Sequence, residues 1–161
     1  MQSGSKSASS AVDYLALAIA TFGVGYLPLI PGTFGSLVGV GIFLLLSQTP
    51  TGLVISIIAV TFAGIWAGSR IEELAGRKDP GKVVVDEVAG QLIATLPLAF
   101  LKQWSIAAVT VSFVLFRFFD IVKPYPANRF QEFKGGSGIM CDDLVAGVYA
   151  AVLVSIFVRY F

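Results

Sequence analysis

Long apolar segments alternate with short polar ones along the chain, and their lengths predict helices. A short apolar stretch at residues 11–22 is followed by five others, at 37–46, 53–68, 88–101, 104–119 and 144–157. Continuous runs of this length favour helices over strands, and about 20 apolar residues are needed to cross a bilayer. The pattern predicts an all-α fold, a small polytopic membrane helical bundle with about four to five membrane-embedded helices and a short N-terminal helix.

The segments between the predicted helices carry helix breakers or charges. Residues 23–36 hold four glycines and two prolines, which predict an irregular loop before the helix that starts at Leu37. Glycines at 135–138 predict another loop, after which Asp142 and Asp143 open the last helix. Irregular backbone at membrane depth is tolerated only where protein or a water-filled cavity surrounds it. The first loop is therefore either a structural connection between helices or a wall of a site.

The composition indicates that lipid covers much of the surface. Only 13% of the residues are charged and 56% are apolar, whereas soluble domains carry roughly a quarter of charged residues. The net charge of +1 gives no argument for nucleic-acid binding. The Ser-rich residues 1–10 predict a flexible tail, and residues 11–161 predict a single helical membrane domain.

The charged segments are predicted to share one side of the membrane. Two apolar hairpins, residues 37–68 and 88–119, have short and nearly uncharged connections, so the strongly charged segments fall at their opposite ends. These segments hold most of the basic residues, and basic segments stay in the cytoplasm. We therefore expect the charged side to face the cytoplasm.

Carboxylates at the ends of apolar helices are the first candidates for chemistry. Such groups are costly beside hydrocarbon and are usually paired or functional. Helix capping explains any one of them about equally well, but two doublets on one side of the membrane favour a shared cation, which offsets their repulsion. Their hard oxygens suit Mg²⁺ or Ca²⁺. The acids are Asp79, Asp86, Glu87, Asp120, Asp142 and Asp143.

Basic and hydroxyl side chains nearby are candidates for binding phosphate. Arginine binds phosphate through two parallel hydrogen bonds and lysine as a point charge, although basic residues at an interface also anchor lipid headgroups. Thr33 and Ser36 could donate to phosphate oxygens or satisfy the loop backbone. The basic candidates are Lys82, Arg117, Lys123 and Arg129.

Several phosphatase mechanisms are excluded by missing residues. The chain has no histidine, which rules out a phosphohistidine intermediate, and no arginine follows Cys141 where a cysteine phosphatase loop needs one. No Walker loop is present. Metal-assisted attack by water or by an aspartate remains. Two other classes stay open: a small cation-coupled transporter, whose acids should lie at mid-span, and a non-enzymatic membrane scaffold.

Four segments in order resemble the phosphatidylglycerophosphatase A family, and together they reach from about residue 20 to 150. The resemblance implies that position 141 varies among such proteins, so Cys141 is not expected to be the nucleophile. The matching segments are PGTFGS at 31–36, DPGKVVVDEVAG at 79–90, FRFFDIVKP at 116–124 and GGSGIMCDDLVAG at 135–147.

The resemblance implies a Mg²⁺-dependent lipid phosphatase of the bacterial inner membrane, and the distribution of basic residues predicts that its active site faces the cytoplasm. Its phospholipid substrate would be phosphatidylglycerophosphate, hydrolysed to phosphatidylglycerol and inorganic phosphate on the path to cardiolipin. The predicted catalytic residues are Asp86, Glu87, Asp120, Asp142 and Asp143. The predicted metal ligands are Glu87, Asp120, Asp142 and Asp79, and the predicted phosphate-binding residues are Lys123, Arg129, Thr33 and Ser36.

Overall fold

Helices make up all the regular structure of the computed structural model, which describes residues 8–28, 30–78, 80–130 and 133–160. A single 3₁₀ turn in these residues, Val24–Tyr26, joins the first two helices, and no strand occurs in them. The predicted all-α fold is confirmed. The helices are α1 Ala11–Thr21, α2 Pro31–Leu46, α3 Pro50–Ala75, α4 Val85–Phe100, α5 Ile106–Val122, α6 Ala127–Phe130 and α7 Gly136–Tyr160.

Helix α4 is the centre of the bundle, because α2, α3, α5 and α7 all pack against it. Most of its 16 residues are buried. Val88 and Leu92 lie in a core with Phe43 of α2, Leu53 of α3 and Val154 of α7. The apolar run that predicted α4 is therefore buried mainly in protein.

Helices α4 and α7 touch through glycines. A Cβ at Gly147 would overlap the carbonyl group of Gly90, and a Cβ at Gly90 would lie 2.6 Å from the carbonyl oxygen of Asp143 and would strike the Phe116 ring. Small residues allow backbones to approach in this way, and packing of this kind holds membrane helices together. The contact brings Asp143 of α7 beside the start of α4.

The outer faces of α3 and α7 are suited to lipid. Among the described residues, these two helices are long and apolar enough to cross a membrane, and only 22% and 33% of their most apolar windows are buried. A core helix of a soluble protein would be mostly buried. Large apolar side chains are exposed along both, including Phe62 of α3 and Val152 of α7. The prediction of a small helical membrane bundle is confirmed.

Two predicted helix starts are wrong. Helix α2 begins at Pro31 rather than Leu37, because proline is well suited to the first position of a helix. Helix α7 begins at Gly136 rather than near Asp142, and the Gly136 N–H donates to the Ser69 hydroxyl at 2.8 Å. The Asp142–Asp143 doublet therefore lies inside α7, and its interpretation as a helix cap is wrong.

The chain path brings the charged helix ends together. The starts of α2, α4 and α7 and the ends of α3 and α5 meet at one end of the bundle, which we call the carboxylate end. Two contacts define it: Gly136 of α7 meets Ser69 of α3, and Lys123 at the end of α5 pairs with Asp142 of α7. The common side predicted for the charged segments agrees with this arrangement.

Substitution Gly147→Ala should destabilise the protein, because its Cβ overlaps the backbone of α4. We expect a loss of about 1–3 kcal/mol in the free energy of unfolding, as for overpacked cores, measured by thermal unfolding in detergent. The matched control is Gly41→Ala in α2, where the added Cβ meets open space. Equal melting temperatures for the two variants would contradict this role for Gly147.

Candidate metal and phosphate site

Three carboxylates meet at the carboxylate end. Asp86 and Glu87 lie in the first turn of α4, where the helix dipole favours negative charge. Asp143 comes from α7 and is 2% exposed. One carboxylate oxygen from each of the three lies within 4.8 Å of the others. Their meeting follows from the glycine contact one turn further along α4.

Two oxygens of this group lack a protein partner. Glu87 Oε2 and Asp143 Oδ2 are buried and accept no hydrogen bond from the described residues. A buried carboxylate oxygen without a donor is costly, and a hard divalent cation would satisfy such oxygens. The donor set therefore fits Mg²⁺, although fewer than six protein oxygens would require water or substrate to complete the shell.

Two cations from α5 face the remaining acids. Arg117 Nη1 lies 2.7 Å from Asp120 Oδ2. Lys123 Nζ lies 2.5 Å from Asp142 Oδ2, 3.7 Å from Asp120 Oδ1 and 3.8 Å from Asp143 Oδ1. Lys123 caps α5 in the left-handed conformation, with φ of 44°, before Pro124 prevents the helix from continuing. This turn at the helix end places its ammonium between α5 and α7.

Lys123 remains a cation across the physiological pH range. Burial lowers its pKa, but the carboxylates of Asp143, Asp142 and Asp120 raise it by more, so that the pKa lies above the ordinary lysine value. Its stabilising effect is therefore complete at neutral pH and is lost only when the pH rises through that raised pKa. The ammonium can bind anions without a change of protonation.

The start of α2 forms a wall of the site. Arg117 Nη1 donates to Ser36 Oγ at 3.4 Å, and Ser36 Oγ donates to the Gly32 carbonyl at 3.0 Å. A Cβ at Gly32 would overlap Glu87 Oε1 and lie 3.2 Å from both terminal nitrogens of Arg117. Glycine at position 32 leaves room for the ends of these two side chains beside α2. The sequence signal for this wall was the PGTFGS segment, which was predicted to be a loop.

The predicted site residues have different surroundings. Asp86, Glu87, Asp120, Asp142, Asp143 and Lys123 are brought together. Ser36 is fully buried against Arg117, and Thr33 is partly buried in the first turn of α2. Arg129 is exposed on α6, with its guanidinium 5.8 Å from the Tyr125 ring centroid, and it forms no ion pair with the acids among the described residues. Asp79 lies outside the described residues.

The predicted metal ligands divide into two groups. Glu87 belongs to the triad that could hold an ion. Asp120 and Asp142 instead contact Arg117 and Lys123. Their direct coordination of metal stays a prediction, as does that of Asp79. Asp86 and Asp143, which the sequence suggested as catalytic residues, take the nearest positions to Glu87.

A family model described as phosphatidylglycerophosphatase A matches residues 17–158, which is most of the chain. The chain belongs to this family. The match includes α2, α4, α5 and the part of α7 that carries Asp142 and Asp143. It therefore covers all four segments, and their resemblance to the family is confirmed. Membership of the phosphatidylglycerophosphatase A family makes this membrane protein a phosphatase and argues against the transporter and scaffold alternatives.

Curated relatives cover most of the chain. A phosphatidylglycerophosphatase A of Haemophilus influenzae is 38% identical over 83% of this chain and 82% of its own length. One of Escherichia coli is 35% identical over 81% of this chain and 75% of its own. A Bacteroides thetaiotaomicron protein, provisionally named a phosphatidylinositol-3-phosphatase, is 40% identical over 89% and 94%. No solved structure matches the chain.

Substitution Lys123→Met should destabilise the protein, because the buried carboxylate of Asp142 loses its cation. Breaking such a pair costs about 3–5 kcal/mol when it is fully buried. The Lys123 side chain is 25% exposed, so we expect about 2 kcal/mol, measured by equilibrium unfolding in mixed micelles with chelator. Lys134→Met, an exposed lysine at the same end, is the control and should leave stability unchanged.

Proposed function

We propose that the protein hydrolyses phosphatidylglycerophosphate to phosphatidylglycerol and inorganic phosphate, with Mg²⁺ held by Asp86, Glu87 and Asp143. The observation that carries this is the convergence of three carboxylates within 4.8 Å at one end of a bundle whose flanks suit lipid. Family membership and the two named bacterial relatives support the substrate.

A bound Mg²⁺ would act as a Lewis acid on a phosphate oxygen and would lower the pKa of coordinated water. Buried carboxylate oxygens without protein donors, on Glu87 and Asp143, support these residues as ligands. Asp120 and Asp142 would then orient the cations of α5. In this assignment Asp120 and Asp142 contact Arg117 and Lys123 and do not coordinate the metal.

Phosphate binding falls to Arg117 and Lys123. Both cations lie at the end of α5 beside the acid triad, where they can neutralise the oxygens of a phosphomonoester as charge develops on them. Ser36 holds Arg117 rather than phosphate. Arg129, exposed on α6, is suited to contact with headgroups at the membrane surface.

The reaction itself consumes one water. The water oxygen forms a bond to phosphorus, the bond from phosphorus to the glycerol oxygen breaks, and the departing oxygen takes a proton from solvent water. We assign proton acceptance from water to the second carboxylate oxygen of Asp86, the one that does not hold the metal; Asp86 lies in the first turn of α4 next to the ligand Glu87. Arg117 and Lys123 stabilise the phosphate oxygens.

The bundle is suited to a substrate that stays in the bilayer. The acyl chains would lie along the exposed apolar faces of α3 and α7 while the headgroup reaches the carboxylate end. The same end carries most of the basic residues, which supports a cytoplasmic orientation in the bacterial inner membrane. These residues are Arg70, Arg77, Lys78, Lys82, Lys123, Arg129 and Lys134.

A second substrate class is a phosphoinositide with a 3-phosphate. It is supported by the Bacteroides thetaiotaomicron relative, whose name refers to that activity. Both substrates are phosphomonoesters on lipid headgroups, so the same triad and cations would serve either one. They differ in the polyol that carries the phosphate.

Phosphate release from purified protein in detergent separates these candidates. With Mg²⁺ we expect release from phosphatidylglycerophosphate, and with chelator we expect none. Faster release from phosphatidylinositol 3-phosphate would overturn the substrate assignment. Release that persists in chelator would contradict the proposed metal requirement. No release from either lipid would contradict the proposed phosphatase activity.

A pair of neighbouring substitutions distinguishes the two sets of metal ligands. If the triad holds the metal, Asp143→Asn should raise the Mg²⁺ concentration for half-maximal activity far more than Asp142→Asn does. Loss of a direct ligand should cost at least the roughly 10–100-fold in affinity seen for outer-shell partners. Glu73→Gln, in an exposed acid of α3, is the control. Equal effects at 142 and 143 would contradict the triad.

A further inference from the structure

Residues 10–26, which we call the N-terminal strap, cross the carboxylate end and touch α3 and the segment that leads into α4. Asp13 pairs with Arg70 of α3. The Ala20 carbonyl accepts a hydrogen bond from the Val84 N–H at 2.8 Å. Gly25 lies so close to the Lys82 carbonyl that a Cβ there would overlap it. The strap thus joins α3 to the segment that leads into α4.

Asp13 fixes the first end of the strap. Its side chain is 2% exposed. Oδ1 accepts from Arg70 Nε at 2.8 Å and lies 2.8 Å from Nη2, while Oδ2 accepts from the backbone N–H groups of Ser9 and Ser10 at 3.0 and 3.1 Å. Hydrogen bonds from Ser9, Arg70 and Ser10 hold the pKa of this carboxyl well below its usual range. The ion pair sets where α1 sits along α3.

The second end of the strap meets the start of α4. Val84 is the N-cap residue of that helix and comes two residues before Asp86. Ala16 and Ala20 of α1 are fully buried in one core cluster with Val83, Val85 and Ala89. Their small side chains let α1 approach closely. The backbone that carries Asp86 and Glu87 is therefore held from this side by α1.

We propose that the N-terminal strap is a positioning element for the metal-binding acids of α4, with Asp13 and Arg70 as its positioning residues. Asp13 touches none of the site carboxylates, so it acts through α1, the Ala20–Val84 hydrogen bond and the first turn of α4. Asp13 also precedes the residues that the family model matches, which begin at 17. Family membership therefore does not imply this ion pair.

The test compares Asp13→Asn with wild type and with Glu73→Gln, which removes only the exposed partner of Arg70. Hydrogen–deuterium exchange of a peptide covering residues 83–88 should speed up in Asp13→Asn and stay unchanged in Glu73→Gln. Because the metal readout rests on the proposed function, it is measured separately. The half-saturating Mg²⁺ concentration should rise roughly 2- to 30-fold, with kcat at saturating Mg²⁺ nearly unchanged.

Conservative variants keep the test decisive. Asp13→Glu should restore much of the wild-type Mg²⁺ requirement. Arg70→Lys keeps the charge but loses the two-nitrogen contact, so it should raise the Mg²⁺ requirement by less than Asp13→Asn. It takes the place of Asp13→Asn if that variant does not fold. Unchanged hydrogen–deuterium exchange at residues 83–88 would overturn the proposal that the strap positions the start of α4. Faster exchange with an unchanged Mg²⁺ requirement would reduce Asp13 to a purely structural role. A wild type that needs no metal overturns the proposed function, and the exchange result still decides whether the strap holds α4.

Discussion

The backbone contact between α4 and α7 at Gly90 and Gly147 is the constraint on which the site depends. In lipid, helices gain little from the hydrophobic effect when they associate, so close packing and polar contacts must hold them together. At this crossing no side chain separates the two backbones. Asp143 is thereby fixed within reach of Asp86 and Glu87, so an acid more than fifty positions further along the chain shares one small volume with this doublet.

Charge balance explains how such a cluster is tolerated in the fold. Among the described residues, the site holds five carboxylates (Asp86, Glu87, Asp120, Asp142 and Asp143) against two cations, Arg117 and Lys123. Packed like charges repel, and buried ions need partners. The cations of α5 neutralise the acids on their side, and the excess of negative charge remains on the α4 side. A divalent cation is the simplest complement to that remainder.

Apolar runs and motif order predicted the helices and the acid set, whereas contacts between distant segments set the rest. The loop prediction was wrong for residues 31–36 and 136–138, because glycine and proline count as helix breakers, although here Pro31 begins α2 and Gly136 begins α7 against α3. Pairing of Asp120 and Asp142 with cations depends on how α5 and α7 dock, which no local pattern encodes. The ion pair of Asp13 could not be predicted from a local pattern, since its partner Arg70 lies 57 positions away.

Helix length has a consequence for how the substrate reaches the acids. Helices α2, α4 and α5 contain 16, 16 and 17 residues, or about 24–26 Å at 1.5 Å per residue. A bilayer's hydrocarbon layer is about 30 Å thick, and a protein shorter than that layer thins the bilayer beside it. Helices α3 and α7, with 26 and 25 residues, are long enough to cross that layer, so thinning would be confined to the flank that α2 and α5 form. On that flank a phosphorylated headgroup would have a shorter distance to travel to the acids while its lipid stays in its own leaflet.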